Sequence, residues 1–375
     1  MPSAADQVTW LESLSPWPEE FGLERMHALL RKLGDPQRAF PAIHVVGTNG
    51  KTTTTRLAEA LLAGAGLAVG AYTSPHVSGW GERIHVRGAE VDLERALEHV
   101  RSGAEEVGAT QFEVLTAAAF AEFAATEVDA AVVEAGLGGR HDATNVLQSR
   151  MVVLTNVGLE HTEVLGNTRE EIAAEKLAVT GPRATVVLGE PEWEGAARTA
   201  GAESVVVAGA SNLALALAAV ESFLGRLVDP TPAEDVWVPG RLERVSEDPL
   251  EIWDGAHNLA GVGWLLAHLP TRRYVVVASI LADKDADGML AALSALGDTI
   301  VATASSNERA LPPADLAKRA RPFFKQVSTV PDPAEAVVAA RDLAGDEGAV
   351  LVTGSLYLLA DLAPFRPGTA LPWRR

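Results

Sequence analysis

Gly47-Thr-Asn-Gly-Lys-Thr52 concentrates more chemistry than any other short span of this chain. Its glycines let backbone N–H groups close around phosphate oxygens, Lys51 can neutralise the outer phosphates of a nucleotide, and the Thr52 hydroxyl can reach Mg²⁺. The apolar run Ala42-Ile-His-Val-Val46 precedes it, and Thr53 to Ala63 behind it places Leu57, Leu61 and Leu62 on one helical face. Strand, glycine-rich loop and helix thus follow in the order that aims a helix N-terminus at an anion. The longer phosphate-loop pattern wants Gly at position 45, where Val45 stands, so the compact form carries the reading. The competing reading is a glycine-rich turn with a chance Lys-Thr pair.

Transfer of a γ-phosphoryl group needs Mg²⁺, a hard cation that takes oxygen ligands and keeps water. Glu134 closes the strand-like run Ala130-Ala-Val-Val-Glu134, where the carboxyl edge of a doubly wound sheet forms its ligand crevice, and so suits the metal side. The following Gly136-Leu-Gly-Gly-Arg-His141 lacks the third glycine of a dinucleotide fingerprint, which excludes a nicotinamide site on this loop. A second strand-to-loop transition, Asn156-Val-Gly-Leu-Glu-His-Thr162, brings His161 to the same predicted edge as Lys51 and Glu134. A lone loop histidine is more often structural; position is what singles this one out. Thr168-Arg-Glu-Glu171 has capping-box spacing and predicts a helix carrying Lys176, which read alone is a solvated lysine.

The elements that must position these groups alternate. Strand-like runs at 42–46, 130–133, 151–154 and 185–188, with helical patterns between several of them, predict a mostly parallel α/β sheet. A second series resumes near Ile252, with strands at 274–278, 299–302 and 350–353 and helices at 258–268, 287–295, 313–320 and 333–344. Asp229-Pro-Thr-Pro-Ala-Glu-Asp-Val-Trp-Val-Pro-Gly240 between them reads as a linker. The expected architecture is a phosphate-loop-containing, mostly parallel sheet domain over residues 1–238, then a smaller Rossmann-like α/β domain over 239–375.

Composition narrows the class. The chain has 375 residues, 47% hydrophobic side chains and no cysteine, so a large core is available, while thiol nucleophiles and thiolate metal sites are excluded. The formal charge of -19 opposes binding to nucleic acid or anionic membranes. An anionic small substrate would need local cations, for which Lys51, Arg83, Arg140 and Arg241 lie in suitable polar or glycine-rich segments. Met1 to Glu24 carries five acidic residues and no Lys or Arg, and no apolar run reaches the roughly 18 residues of a membrane span. A cytoplasmic location is expected.

In order, these segments resemble the Mur ligase superfamily, and within it the folylpolyglutamate synthase/dihydrofolate synthase branch. The resemblance is carried by Phe21-Gly-Leu-Glu-Arg25, Gly47 to Thr52, Thr73-Ser-Pro-His76, Glu82-Arg-Ile84, Phe112-Glu113 and Gly136 to Asn145. It continues through Leu159-Glu-His-Thr162, Glu175-Lys176, Pro239-Gly-Arg-Leu-Glu243, Asp254-Gly-Ala-His-Asn258, Asp283-Lys-Asp285 and Gly354-Ser-Leu-Tyr357. It implies an ATP-dependent amide ligase that activates a folate or dihydropteroate carboxylate as an acyl phosphate and joins it to L-glutamate. It further implies that Gly47, Thr48, Asn49, Gly50, Lys51, Thr52 and Thr53 hold the triphosphate, with Asn212, Arg241 and Asp254 on adenine, phosphate and ribose. Ser74, Glu134 and His161 would bind one Mg²⁺, and Lys176, carbamylated, a second. Phe21, Gly22, Leu23, Arg83, Phe112, Glu113, Gly139, Arg140 and His141 would line the pterin-side pocket, and His257 and Ser355 would face glutamate. The expected partners are small molecules, acting on a monomer. Thr52-Thr53 resembles the peptidoglycan-precursor branch instead, which supplies the alternative substrate class; a regulatory protein that binds ATP without catalysis is the alternative from another class.

Overall fold

A computed structural model describes residues 5–345 and 348–366. Contacts divide the chain into two compact units: one takes the chain up to Pro75 and Trp80–Val236, the other takes His76–Gly79 and the chain from Trp237 onward.

The first unit is built on an eight-stranded sheet. Its strands are β1 (Ala42–Val46), β2 (Val69–Tyr72), β3 (Ile84–Val86), β4 (Ala89–Glu90), β5 (Ala130–Glu134), β6 (Met151–Leu154), β7 (Thr185–Leu188) and β8 (Ser204–Val207), in the spatial order β4-β3-β2-β5-β1-β6-β7-β8. All neighbours are parallel except the antiparallel pairs β2–β3 and β3–β4. Strands buried on both faces must be apolar at every position, and β1, β5 and β6 are buried throughout. Successive side chains then feed opposite layers. Ile43, Val45 and Val132 pack with Leu57, Leu61 and Leu62 of the helix Lys51–Gly64 and with Leu215 and Val220 of Asn212–Leu224. Ala131, Val133 and Tyr72 pack with Phe120 and Phe123 of the helix Gln111–Ala125 and with Leu97 and Val100 of Leu93–Val107. Fully burying one such leucine or phenylalanine contributes about 1.5–3 kcal/mol, which fixes these helices on the sheet.

Register makes the site. Val45 is level with Glu134, and Val46 with Leu154, so β5, β1 and β6 end side by side and hand their loops to one edge. The chain leaves β1 toward β2 on one side and reaches β6 on the other, which makes this edge a topological switch point.

The second unit carries a six-stranded sheet: β9 (Glu243–Glu247), β10 (Leu250–Trp253), β11 (Tyr274–Ala278), β12 (Thr299–Ala302), β13 (Gln326–Thr329) and β14 (Ala349–Thr353), ordered β13-β12-β11-β14-β10-β9. Only β9 runs antiparallel to its neighbour. The helices Leu259–His268, Pro313–Ala320 and Pro333–Ala344 follow the expected spans, while the one expected over 287–295 ends at Leu293 and tightens into a 3₁₀ turn at Ser294–Leu296. The excursion His76–Gly79 belongs here: Val77 packs in this unit's core with Trp253 and Leu359, and Arg366 donates to the Ser78 hydroxyl at 2.9 Å. No helix among the described residues is long and apolar enough to cross a membrane.

Candidate active site

The glycine-rich loop leaves β1 and becomes helix at Lys51, two residues earlier than its apolar face implies, which brings Lys51 and Thr52 into the first turn. Gly50 has φ +83°, and a Cβ there would lie 2.4 Å from Asn212 Oδ1, so no side chain is tolerated. The segment after β6 clamps the loop. Asn156 exchanges bonds with Asn49, its Oδ1 accepting from the Asn49 N–H and its Nδ2 donating to the Asn49 carbonyl, both at 3.0 Å. The Thr155 hydroxyl donates to the same carbonyl at 2.7 Å, and the Gly158 N–H donates to Thr48 Oγ1 at 2.9 Å. A loop so braced would meet a phosphate chain without having to be ordered first.

Glu134 is 1% exposed at the end of β5. The Thr52 hydroxyl donates to its Oε1 at 3.1 Å and the Ser74 N–H to its Oε2 at 3.0 Å. Thr52 and Ser74 are thus both tied to Glu134, and the Thr52 hydroxyl and Glu134 carboxylate offer the oxygen ligands that suit a hard divalent cation. No group of three or more His, Cys, Asp or Glu side chains forms a metal cage among the described residues. A cation here would complete its shell with nucleotide oxygens and water, as Mg²⁺ does in phosphoryl-transfer sites. His161 is half-buried with φ +49°, and its Nε2 lies 3.5 Å from Glu160 Oε1.

Lys176 overturns its reading as a solvated lysine, for it is only 5% exposed. Its Nζ donates to the Gly47 carbonyl at 2.9 Å, beside the phosphate loop. Burial, reinforced by the charge of Lys51, lowers its pKa to about 7. The loop carrying Gly139 packs on the end of the same helix: a Cβ on Gly139 would come within 2.5 Å of the Lys176 backbone carbonyl, so glycine lets that loop close on the helix Arg169–Leu177.

The pterin-side candidates divide. Phe21 is exposed, Gly22 and Leu23 are half-buried, and His141 is exposed. Phe112 packs its ring 5.9 Å from Tyr72, and Arg83 lies 4.8 Å over the Trp80 ring. Two others are engaged in structure. Glu113 Oε2 accepts from the Thr110 N–H and hydroxyl and from Arg25, closing a capping box. Arg140, expected as a local cation for substrate, pairs through Nε with Glu175 at 3.1 Å. Asn212 Oδ1 accepts from the Thr54 hydroxyl at 3.4 Å, which sets it beside the nucleotide loop, and Thr53 lies on that helix's first turn.

Arg241, Asp254, His257 and Ser355 lie in the second unit. Asp254 is buried, and its two oxygens accept from the Leu242 and Ala256 N–H groups at 2.8 and 2.9 Å. Burial raises its pKa, against the opposing charge of Arg241 and these two bonds. Arg241 donates to the Gly240 carbonyl, and His257 Nδ1 lies 3.0 Å from the Gly255 oxygen. The Ser355 hydroxyl accepts from the Tyr357 N–H as a helix cap, so its oxygen is already committed to the backbone.

Thr155, Asn156 and Glu160 were not singled out from the sequence. Adjacency to His161 is the one signal for Glu160 in the sequence; in the structure its Oε1 lies 3.5 Å from His161 Nε2 and its charge favours protonated Lys176.

Comparison with known proteins adds the following. Profiles described as "Mur ligase middle domain" and "Mur ligase, glutamate ligase domain" match residues 45–222 and 240–356. A dihydrofolate synthase/folylpolyglutamate synthase of Mycobacterium tuberculosis is 34% identical over 89% of this chain and 85% of its own length. The solved M. tuberculosis folylpolyglutamate synthase complexed with ADP superposes with a TM-score of 0.89 at 31% identity, covering 98% of this chain and 99% of its own. The bifunctional folylpolyglutamate synthase/dihydrofolate synthase of Yersinia pestis, complexed with AMPPNP and Mn, gives 0.88 at 30% identity, with 98% and 100% covered.

Proposed function

This chain belongs to the Mur ligase family, in its dihydrofolate synthase/folylpolyglutamate synthase branch, and from that membership we propose that it joins L-glutamate to a folate or dihydropteroate carboxylate, using ATP and an acyl phosphate intermediate. It is an ATP-dependent amide-forming ligase. The observation that carries the chemistry is the convergence at one sheet edge of the braced loop Gly47–Thr52, the Glu134 carboxylate with Thr52 and Ser74, and buried Lys176 beside Gly47.

The substrate carboxylate attacks the γ-phosphorus of ATP, ADP leaves, and the glutamate amine then attacks the acyl carbon and expels phosphate. Charge accumulates on the transferring oxygens, so fixed cations and N–H groups aimed at them lower the barrier most. Lys51 and the N–H groups of the first helical turn supply these on the phosphate side. A divalent cation held by Glu134, Ser74, Thr52 and His161 would neutralise the phosphate oxygens. Lys176, as its carbamate, offers oxygens for a second one. Asn212 and, in the second unit, Arg241 and Asp254 serve the nucleotide. Phe21, Gly22, Leu23, Arg83, Phe112, Gly139, Arg140 and His141 form the pterin side, with Glu113 as a brace beneath it. His257 faces the incoming amino acid, and Ser355 shapes that region through its helix cap. We assign residues 1–238 to the nucleotide-binding domain and 239–375 to the second ligase domain, acting as a monomer in the cytoplasm.

Two measurements test this. ADP release assayed with a panel of pterins and amino acids is expected only when glutamate is combined with dihydropteroate or a reduced folate; turnover confined to a UDP-linked muramyl substrate would overturn the folate assignment. For the metal, Glu134→Gln keeps the shape and removes the anion, and it should raise the Mg²⁺ concentration for half-maximal rate roughly tenfold or more. His161→Ala should shift it in the same direction. An unchanged Mg²⁺ dependence in both would remove the metal from this edge.

A further inference from the structure

The face of the helix Lys51–Gly64 that starts at Thr52 does not stop there. Arg56, one turn on, is 8% exposed, and Glu59, a further turn on, is 6% exposed. Arg56 Nη1 donates to Glu59 Oε2 at 2.9 Å. Its Nη2 points the other way and donates to two acceptors, Thr73 Oγ1 at 3.2 Å and the Glu82 carbonyl. These two lie where the chain leaves β2 and where it returns into β3, and the Thr73 N–H closes the same neck on the Arg83 carbonyl at 2.9 Å. Between them runs the segment that begins with Ser74, whose N–H holds Glu134. A guanidinium is suited to this, because its planar fork binds acceptors on both strands of a neck at once, which a lysine ammonium on its flexible stem does less well.

We propose that Arg56 is a positioning residue for the ligase reaction: it staples the neck of the Thr73–Arg83 segment and so holds Ser74 and Glu134 in register with the phosphate loop. The inference rests on the reading of Glu134 and Ser74 as the metal side of the site. Thr52 and Arg56 are one turn apart on a single rigid helix, so the two bonds place both ends of the Ser74–Glu134 contact from one ruler. Burial opposes ionisation of Glu59, but the neighbouring His85 and Arg56 outweigh it and keep its carboxyl below the ordinary carboxylate value. Its Oε2 anchors the guanidinium while the other end of the fork grips the neck, and its Oε1 stands 3.7 Å from His85 Nδ1.

A buried pair cannot be tested by deleting one member, which would strand the other charge. The double variant Arg56→Met/Glu59→Gln removes both charges, and Arg56→Lys keeps the charge over Glu59 while losing the fork. The readout is the affinity for a non-hydrolysable ATP analogue by calorimetry, with and without Mg²⁺, on the full chain. In both variants the metal-free affinity should stay within about twofold of wild type, since the loop Gly47–Thr52 is untouched. The tightening produced by Mg²⁺ should fall about tenfold in the double variant, the size typical when a group supporting a metal ligand is removed, and in the same direction in Arg56→Lys. Wild-type Mg²⁺ tightening in a folded variant, even with a lowered melting temperature, would make Arg56 a structural ion pair and overturn the proposal. Absence of any Mg²⁺ effect in the wild type would instead overturn the metal reading of Glu134 on which it rests.

Discussion

Lys51→Ala should lower the rate of ADP formation by about a thousandfold or more while the protein stays folded. Removing one fixed group that stabilises a developing charge costs about 10²–10³ in rate, and cations at a transferring phosphoryl group reach higher values. Lys51 stands in the first turn of its helix, where the helix dipole and free N–H groups already favour an anion. Its Nζ rests on the Thr48 carbonyl at 3.3 Å, a long bond that a phosphate oxygen can replace with little loss. The fold does not lean on it, because the loop is braced by Thr155, Asn156 and Gly158 rather than by this side chain. The melting temperature should therefore stay within a few degrees of wild type, and the far-ultraviolet circular dichroism should not change. Analogue binding should weaken as well, since on the proposed function Lys51 would contact the phosphates before reaction. A variant that keeps near-native turnover would take the loop out of the chemistry.

The robustness of that loop in the sequence and the obscurity of Lys176 have the same physical origin. Gly47 to Thr52 does its work through contiguous backbone, so adjacency in sequence is adjacency in space. The central strands of each sheet are equally legible, because β1, β5 and β6 in the first unit and β11, β12 and β14 in the second are buried on both faces and must be almost wholly apolar. β2, by contrast, is Val-Gly-Ala-Tyr, and it carries Gly because the Phe123 ring lies 2.5 Å from where a Cβ would stand. That glycine breaks the run of large apolar side chains by which a buried strand is recognised. β9 and β13 are edge strands with one neighbour each, and their Glu243-Arg-Val-Ser-Glu247 and Gln326-Val-Ser-Thr329 look like loop. The site divides along the same line. Asn156 reaches Asn49 across more than a hundred residues, and Arg56 reaches Glu82 across a strand and a turn. Charge and spacing say nothing of either. Glu113 and Arg140 show the converse: their residue types suit a substrate, and the structure adds contacts the sequence does not announce, a capping box for Glu113 and the Glu175 carboxylate on Arg140 Nε.

Lys176→Ala is expected to lose most of the ligase rate, about a hundredfold, and still bind ATP with near-native affinity, because the side chain touches the Gly47 carbonyl and no N–H group of the phosphate loop. An ammonium ion buried within the field of Lys51 is opposed by burial and by like charge, and a divalent cation bound here would oppose it further. The fold resolves this by lowering the pKa to about 7, which makes the neutral, nucleophilic amine available at physiological pH. An amine in that form adds CO₂: its lone pair forms the N–C bond, one proton leaves, and the product is an anionic carbamate whose oxygens suit Mg²⁺. The sign of the pH dependence follows from the direction of the shift. With dissolved CO₂ held constant, labelling from ¹³C-bicarbonate should be high at pH 8, where most of the amine is neutral, and should fall at pH 6, where most of it is protonated. An ordinary lysine would show almost no neutral amine at either pH. Short-chain carboxylates should restore part of the rate of the Ala variant by placing an oxygen ligand in the vacated space, and they should leave the wild type unaffected. Enzyme depleted of CO₂ should lose activity and regain it on adding bicarbonate. An unlabelled Lys176 at pH 8, together with an Ala variant as fast as wild type, would leave this residue as a buried lysine bound to the Gly47 carbonyl and nothing more.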